Sequence, residues 1–243
     1  MHEVKRAIIM AAGIGKRMSP LTAVTPKPLI EVNGVRMIDS VIRSLRENDI
    51  WDIYVVVGYL KEKFQVLQEQ YKGIQLIENP YYERCNNISS LYMAREYLGE
   101  CVILDADQMI YHPEILNRTF HKSCYCCKWT DDETKEWLLE LEGDRVSGCR
   151  RDGGRRGWQL YSVSFWTMAD GGKLRHYLER EFEEKKNDQI YWDDVALFCY
   201  PDDFDLGIRE VKDGDIVEID DLSELAQVDS RYINVYDRAP ERG

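Results

Sequence analysis

The residue types and spacings that point to chemistry begin at Gly13 and Gly15, continue to Arg17, and resume at Lys27 between Pro26 and Pro28. Glycine has no Cβ, so a Gly-x-Gly turn lets backbone N–H groups approach a phosphate closely. Two spaced cations behind such a turn can hold a polyphosphate and neutralise charge at the reacting phosphorus. A second set is acidic, Asp105-Ala106-Asp107. Magnesium is usually held by one or two carboxylates together with substrate phosphates. A third set is polar: Asn86-Asn87 followed by Ser89-Ser90 reads either as a helix start or as base recognition. A fourth, Tyr191-Trp192-Asp193-Asp194, sets aromatics beside carboxylates. It reads as a second metal ligand with a wall of rings, or as a capped helix start with buried aromatics. The four histidines, His2, His112, His121 and His176, are scattered, and no Ser-His-Asp or Cys-His arrangement is visible.

These residues need elements to position them. Ala7 to Met10 is an apolar run that reads as a short buried strand, with the glycine turn after it. Asn33-Gly34 is a tight turn. Met37, Ile38, Val41, Ile42 and Leu45 recur at helical spacing. Ile53 to Val57 and Ile74 to Ile77 read as strands around a helix from Lys61 to Tyr71, and a helix follows Asn86 through Tyr97. Cys101 to Leu104 is a further strand, ending in the acidic pair. Side chains alternate along a strand, so only one of Asp105 and Asp107 is expected to point into the site. Alternating strands and helices predict a mostly parallel sheet with helices on both faces and ligands beyond the carboxyl ends of the strands. From Lys122 the pattern becomes antiparallel, with strands at Cys124–Trp129, Trp137–Leu141, Arg145–Arg150 and Gln159–Trp166. The Arg151 to Gly157 loop reads as a mobile hairpin tip in preference to a phosphate contact. A charge-rich helix is expected from Gly171 to Lys186, a strand from Phe204 to Val211 and a short helix to Val228.

Composition bounds the function. The chain has 243 residues, 44% of them apolar, enough for one large α/β unit with a real core. A net charge of -12 argues against a general nucleic-acid binder and for locally concentrated positive charge plus a divalent cation. No apolar run is long enough for a membrane span. The start of the chain does not read as a secretory leader, so a cytoplasmic protein is expected. The seven cysteines have no framework spacing, and Cys124-Tyr125-Cys126-Cys127 reads as reduced thiols in preference to a zinc site.

Two familiar glycine loops fail against the turn. Arg17 stands where a P-loop needs Ser or Thr, and Met18 where a dinucleotide fingerprint needs its third glycine. What remains, Ala11-Ala12-Gly13-x-Gly15-x-Arg17-Met18-x-Pro20-Leu21-Thr22 with Pro26-Lys27-Pro28-Leu29, resembles the signature of sugar-phosphate nucleotidyltransferases. Val57-Gly58-Tyr59, Asn86-Asn87, Asp105-Ala106-Asp107, Glu136-Trp137, Val163 to Trp166, Tyr191-Trp192-Asp193 and Glu218-Ile219-Asp220 narrow it. Together they resemble bacterial choline-phosphate cytidylyltransferases from Lys5 to about Asp229.

The resemblance implies a Rossmann-like, mostly parallel mixed sheet flanked by helices with an antiparallel acceptor-side region. It implies one nucleotidyltransferase domain over 1–243, with a nucleotide half of about 1–121 and an acceptor half of about 122–243. It implies transfer of a cytidylyl group from CTP to phosphocholine with Mg2+, giving CDP-choline and pyrophosphate. Gly13, Gly15 and Arg17 would hold the triphosphate and Lys27 the reacting phosphates. Ala11, Ala12, Asn87 and Ser90 would form the base pocket, with Gly58, Tyr59 and Asp105 alongside. Asp107 and Asp193 would hold the metal. A quaternary ammonium is recognised by aromatic faces with carboxylates nearby, which marks Trp137, Tyr191 and Trp192, with Glu136 as charge partner. The Arg151 to Gly157 loop is not a family feature. The alternatives are another acceptor (phosphoethanolamine, 2-aminoethylphosphonate or a sugar 1-phosphate) or a non-catalytic nucleotide-binding module. A homodimer is left open.

Overall fold

The computed structural model describes residues 1–237. Its centre is a mixed nine-stranded sheet. In chain order the strands are β1 (Arg6–Ala11), β2 (Asp52–Val57), β3 (Ile74–Glu78), β4 (Cys101–Asp105), β5 (Cys124–Thr130), β6 (Leu138–Glu142), β7 (Arg145–Arg150), β8 (Gly157–Trp166) and β9 (Gly207–Glu210). β1 lies between β2 and β4 and is parallel to both, and β3 extends the parallel run beyond β2. β8 pairs antiparallel with β4, β5 and β6. The antiparallel region expected from Lys122 onward is therefore a continuation of the same sheet.

Alternation along β1 shows why the strand reads as a continuous apolar run. Ala7, Ile9 and Ala11 feed one hydrophobic cluster, and Ile8, Met10 and Ala12 feed another. Both faces are covered, as a parallel strand requires. Helix α1 (Met37–Glu47) places Ile38, Val41, Ile42 and Leu45 on the first cluster. α2 (Gln65–Gln70) is short because the turn before it, Lys61–Phe64, is 3-10. α3 (Ile88–Met93) stops before Tyr97, and α4 (Met168–Glu179) starts earlier than expected because Thr167 Oγ1 caps Asp170 N–H. Beyond α4 the chain widens into a π-turn over Arg180–Glu184.

A third cluster lies beneath the glycine turn, where Met18, Ile30 and Met37 meet Ile219, Leu222 and Leu225. Leu222 and Leu225 belong to α5 (Leu222–Val228), capped by the Asp221 carboxylate. The strand pair Gln108–Ile110 and Ile216–Glu218 leads into it. This cluster carries the last part of the chain to the carboxyl end of the parallel strands.

Candidate active site

β1 ends at Ala11, and Gly15 turns the chain in the left-handed region at φ +67. A Cβ on Gly15 would lie 3.0 Å from the Lys27 Cβ, so the turn and the lysine are packed as one unit. Thr22 Oγ1 donates to the Gly15 carbonyl at 3.1 Å and fixes it further. Gly13 is different: its Cβ position meets nothing within 4 Å. It opens onto a cavity of about 330 Å³ that also borders Ala11, Ala12, Gly15, Arg17 and Lys27. Asn87, Ser90, Asp105 and Asp107 line the same cavity, so most of the expected nucleotide set converges there.

Lys27 is buried, and its Nζ lies 2.5 Å from Asp107 and 2.9 Å from Asp220. Burial disfavours its charge, but the two carboxylates more than offset that and raise its pKa. Asp220 also accepts from Arg17 at 3.0 Å. Burial alone would raise the Asp220 pKa, yet the neighbouring Lys27 and Arg17 hold it below the usual carboxylate range. Asp220 thus joins the two expected phosphate-binding cations. Its place is secured by Ile219, whose N–H donates to the Asp107 carbonyl at 3.1 Å.

A second cavity, of about 280 Å³, adjoins the first across Arg17, Asn87, Asp105, Asp107 and Asp220. Its further walls include Glu136, Trp137, Tyr191, Asp193 and Glu218. Trp137 and Tyr191 meet edge to face, with ring centroids 5.6 Å apart at 85°. Acids dominate the floor. Burial pushes Asp193 up to about 7 with Asp194 adding repulsion, and Glu218 up to about 8 with Asp107, Glu136 and Asp220 adding theirs. Burial, reinforced by Asp107, Asp193 and Glu218, raises Asp105 well above the carboxylate range. Burial also raises Glu136. The donor set suits a hard divalent cation: carboxylate oxygens whose mutual repulsion a cation would relieve, with substrate phosphates completing the shell. Among the described residues no group of three or more His, Cys, Asp or Glu side chains is placed to enclose a metal alone.

Several expectations change. Asp105 and Asp107 both border both cavities, because β4 ends at Asp105 and strand alternation no longer applies at Asp107. Trp192 is only 4% exposed, with its ring against Tyr125 and Trp166, so it belongs to the core and not to the acceptor wall. Its backbone N–H instead donates to Asn87 Oδ1 at 2.9 Å and ties the two halves of the site together. Asn87 therefore does not cap α3 through its side chain. Gly58 and Tyr59 border neither cavity and act behind the loop. A Cβ at Gly58 would come within 2.9 Å of the Ala12 carbonyl, and Tyr59 donates to the Thr22 carbonyl at 2.9 Å. The Arg151 to Gly157 loop is pinned, not a free tip: Thr134 and Gly154 exchange backbone hydrogen bonds of 2.9 and 2.8 Å.

Asp220, Glu218 and Asn79 join the site with roles that only the structure assigns. Asn79 is 1% exposed, and its Nδ2 donates to Ser89 and Ser90 at 3.0 and 2.9 Å, which holds Ser90 in place. Glu218 accepts from Ser162 N–H at 3.1 Å. The usable signal was the acidic run Glu218-Ile219-Asp220-Asp221, together with the Asn79-Pro80 turn after β3.

The profile of the MobA-like NTP transferase domain matches residues 7–162. The 2-aminoethylphosphonate cytidylyltransferase of Lancefieldella rimae is 38% identical, covering 95% of this chain and 94% of that protein. The choline-phosphate cytidylyltransferase of Streptococcus pneumoniae is 32% identical, covering 92% and 96%. The solved structure of the S. pneumoniae CTP:phosphocholine cytidylyltransferase superposes with a TM-score of 0.87 over 94% of this chain and 99% of that one. The nucleotidyltransferase fold expected from the signature is the fold observed.

Proposed function

The chain belongs to the MobA-like NTP transferase family, and we propose from that premise that it moves the cytidylyl group of CTP onto a small acceptor with a phosphorus oxyanion at one end and an amine at the other. The leading acceptor is 2-aminoethylphosphonate. The protein is a nucleotidyltransferase. CTP is supported as donor by the names of both relatives and by the small, amide-lined pocket of Ala11, Ala12, Asn87 and Ser90. With Asn87 Oδ1 engaged by Trp192, its NH2 group is the donor left for a base carbonyl.

An acceptor oxyanion attacks the α-phosphorus in line. The new O–P bond forms as the bond to the β-phosphate oxygen breaks, and pyrophosphate leaves. The nucleophile is already anionic, so positioning and charge compensation do the work and no strong base is required. Lys27 uses two of its three N–H donors on Asp107 and Asp220, and the third is available to a phosphate oxygen. Arg17, more exposed, serves the outer phosphates. Asp107 and Asp193 are the proposed Mg2+ ligands, and the bound ion would screen phosphate charge and act as a Lewis acid.

The observation that carries the acceptor reading is the balance of the second cavity. One aromatic wall, Trp137 with Tyr191, stands against Glu136 and Glu218, while Trp192 is withdrawn into the core. A primary ammonium has N–H donors for carboxylates to accept, whereas a trimethylammonium has none and needs aromatic faces. Phosphocholine is the second reading, supported by the right-angled Trp137–Tyr191 pair and by the S. pneumoniae relative. The test is pyrophosphate release with Mg2+, pairing CTP or UTP with 2-aminoethylphosphonate, phosphoethanolamine, phosphocholine and glucose 1-phosphate. The expected result is release with CTP and the amine acceptors, fastest with 2-aminoethylphosphonate. Release only with glucose 1-phosphate would discard the acceptor reading, and faster release with phosphocholine would move it to the second.

A further inference from the structure

We propose that Arg151, from the glycine- and arginine-rich loop, is a positioning residue that sets acceptor affinity by clamping the Trp137–Tyr191 wall from outside the acceptor cavity. The inference deepens the proposed function and rests on it for the identity of the acceptor, but not for the existence of the clamp. Arg151 does not border the acceptor cavity. It borders a separate open depression with Cys149 and Phe198. From there its guanidinium lies 5.3 Å from the Trp137 ring centroid and 4.0 Å from that of Phe198. Phe198 itself meets Trp137 edge to face at 5.7 Å. Trp137 is thus held by Tyr191 and Phe198 at right angles and by a cation over its ring.

The same guanidinium pairs with the Asp194 carboxylate, whose side chain is only 2% exposed. The other Asp194 oxygen accepts from Tyr191 N–H at 2.9 Å. One arginine therefore fixes both halves of the wall, Trp137 by stacking and Tyr191 through Asp194. Its own position is built into the backbone. Gly153 has φ +65, and a Cβ there would fall 2.1 Å from the Thr134 carbonyl oxygen, so only glycine permits the Thr134–Gly154 bridge that anchors the loop. Arg150 ties the far side, donating to the Arg155 and Arg156 carbonyls. Pairing with Asp194 also neutralises a positive charge that would otherwise repel an acceptor ammonium.

The test uses Arg151→Ala, Arg151→Lys and the double variant Arg151→Ala/Asp194→Asn. The double variant keeps a side-chain oxygen to accept from Tyr191 N–H without leaving a buried carboxylate unpaired, so it decides the matter if Arg151→Ala alone fails to fold. The expected result is an acceptor KM raised about tenfold in the alanine variants, partly restored in the lysine variant. KM for CTP and the Mg2+ requirement should stay within about twofold of the parent. A purely structural role would move all three together. In 5-fluorotryptophan-labelled protein, the 19F resonance assigned to Trp137 by Trp137→Phe should broaden in Arg151→Ala and sharpen again in Arg151→Lys, while those of Trp166 and Trp192 hold. Unchanged acceptor KM, a parallel rise in CTP KM, or an undisturbed Trp137 resonance would overturn the clamp. If the parent enzyme turns over none of the amine acceptors, the acceptor reading falls, and the 19F result alone decides whether Arg151 holds the wall.

Discussion

Asp220 is the residue on which the resting charge balance turns. It pairs with both Arg17 and Lys27, so under the proposed function it would compete with incoming phosphates for the same donors while keeping both cations aligned. Asp220→Asn is expected to lower kcat about tenfold by loosening Lys27 while leaving the CTP KM unchanged or lower; initial rates over a CTP titration check this. Glu218 gives a pH signature. Its ordinary value is 4.5, and burial lifts it to about 8 in the folded protein. Between those values the native state keeps a proton that the unfolded chain has lost. Glu218 therefore subtracts stability as pH rises through that window. Glu218→Gln removes the penalty. Its melting temperature should match the parent near pH 4.5 and exceed it by about 2–5 °C at pH 8 in substrate- and metal-free protein. The glycine turn, Arg17, Lys27 and the acid pair were legible because a local motif with fixed spacing encodes them. Asp220 was not, because its partner Lys27 lies 193 positions earlier in the chain and the two meet only through the third core cluster. Nor was the division of labour between Tyr191 and Trp192: adjacent aromatics look alike in sequence, and only packing decides which turns inward.

At the scale of elements, the central parallel strands β1, β2 and β4 are legible as apolar runs because both of their faces are buried, whereas the edge strand β3 keeps exposed Gln75 and Glu78. Boundaries were less legible where side-chain capping or a π-turn intervenes, as at both ends of α4. The start of α3 shows how an element positions chemistry. Asn79, after β3, reaches across to Ser89 and Ser90, and Trp192 N–H holds Asn87. The proposed base pocket is thus built from an element junction, not from the helix alone. Asn79→Ala leaves buried hydroxyls without their donor. It should cost about 1–3 kcal/mol in urea unfolding and raise the CTP KM several-fold with the acceptor KM unchanged. A change confined to the acceptor KM would place Asn79 on the wrong side of the site.

At the scale of the whole molecule, the candidate active site is a seam. The glycine turn and α3 come from the parallel part, Trp137 from the antiparallel part, and Glu218 and Asp220 from the late segment folded over Met18 and Met37. Among the described residues no helix is long and apolar enough to cross a membrane. The late segment depends on Leu225, which is fully buried in the third cluster. Leu225→Ala should destabilise the protein by about 2–5 kcal/mol and lose activity before it unfolds, because Asp220 is delivered by the same packing; parallel urea curves of fluorescence and turnover would separate the two. The most direct measurement is 31P NMR of the protein with CTP, Mg2+ and 2-aminoethylphosphonate. The acceptor phosphorus is expected to become coupled to the former α-phosphorus as pyrophosphate appears, and Lys27→Ala and Asp107→Ala should each slow this by about a hundredfold or more. Product formed at the parental rate by either variant, or CDP appearing through transfer of the terminal phosphate in place of cytidylyl transfer, would contradict it.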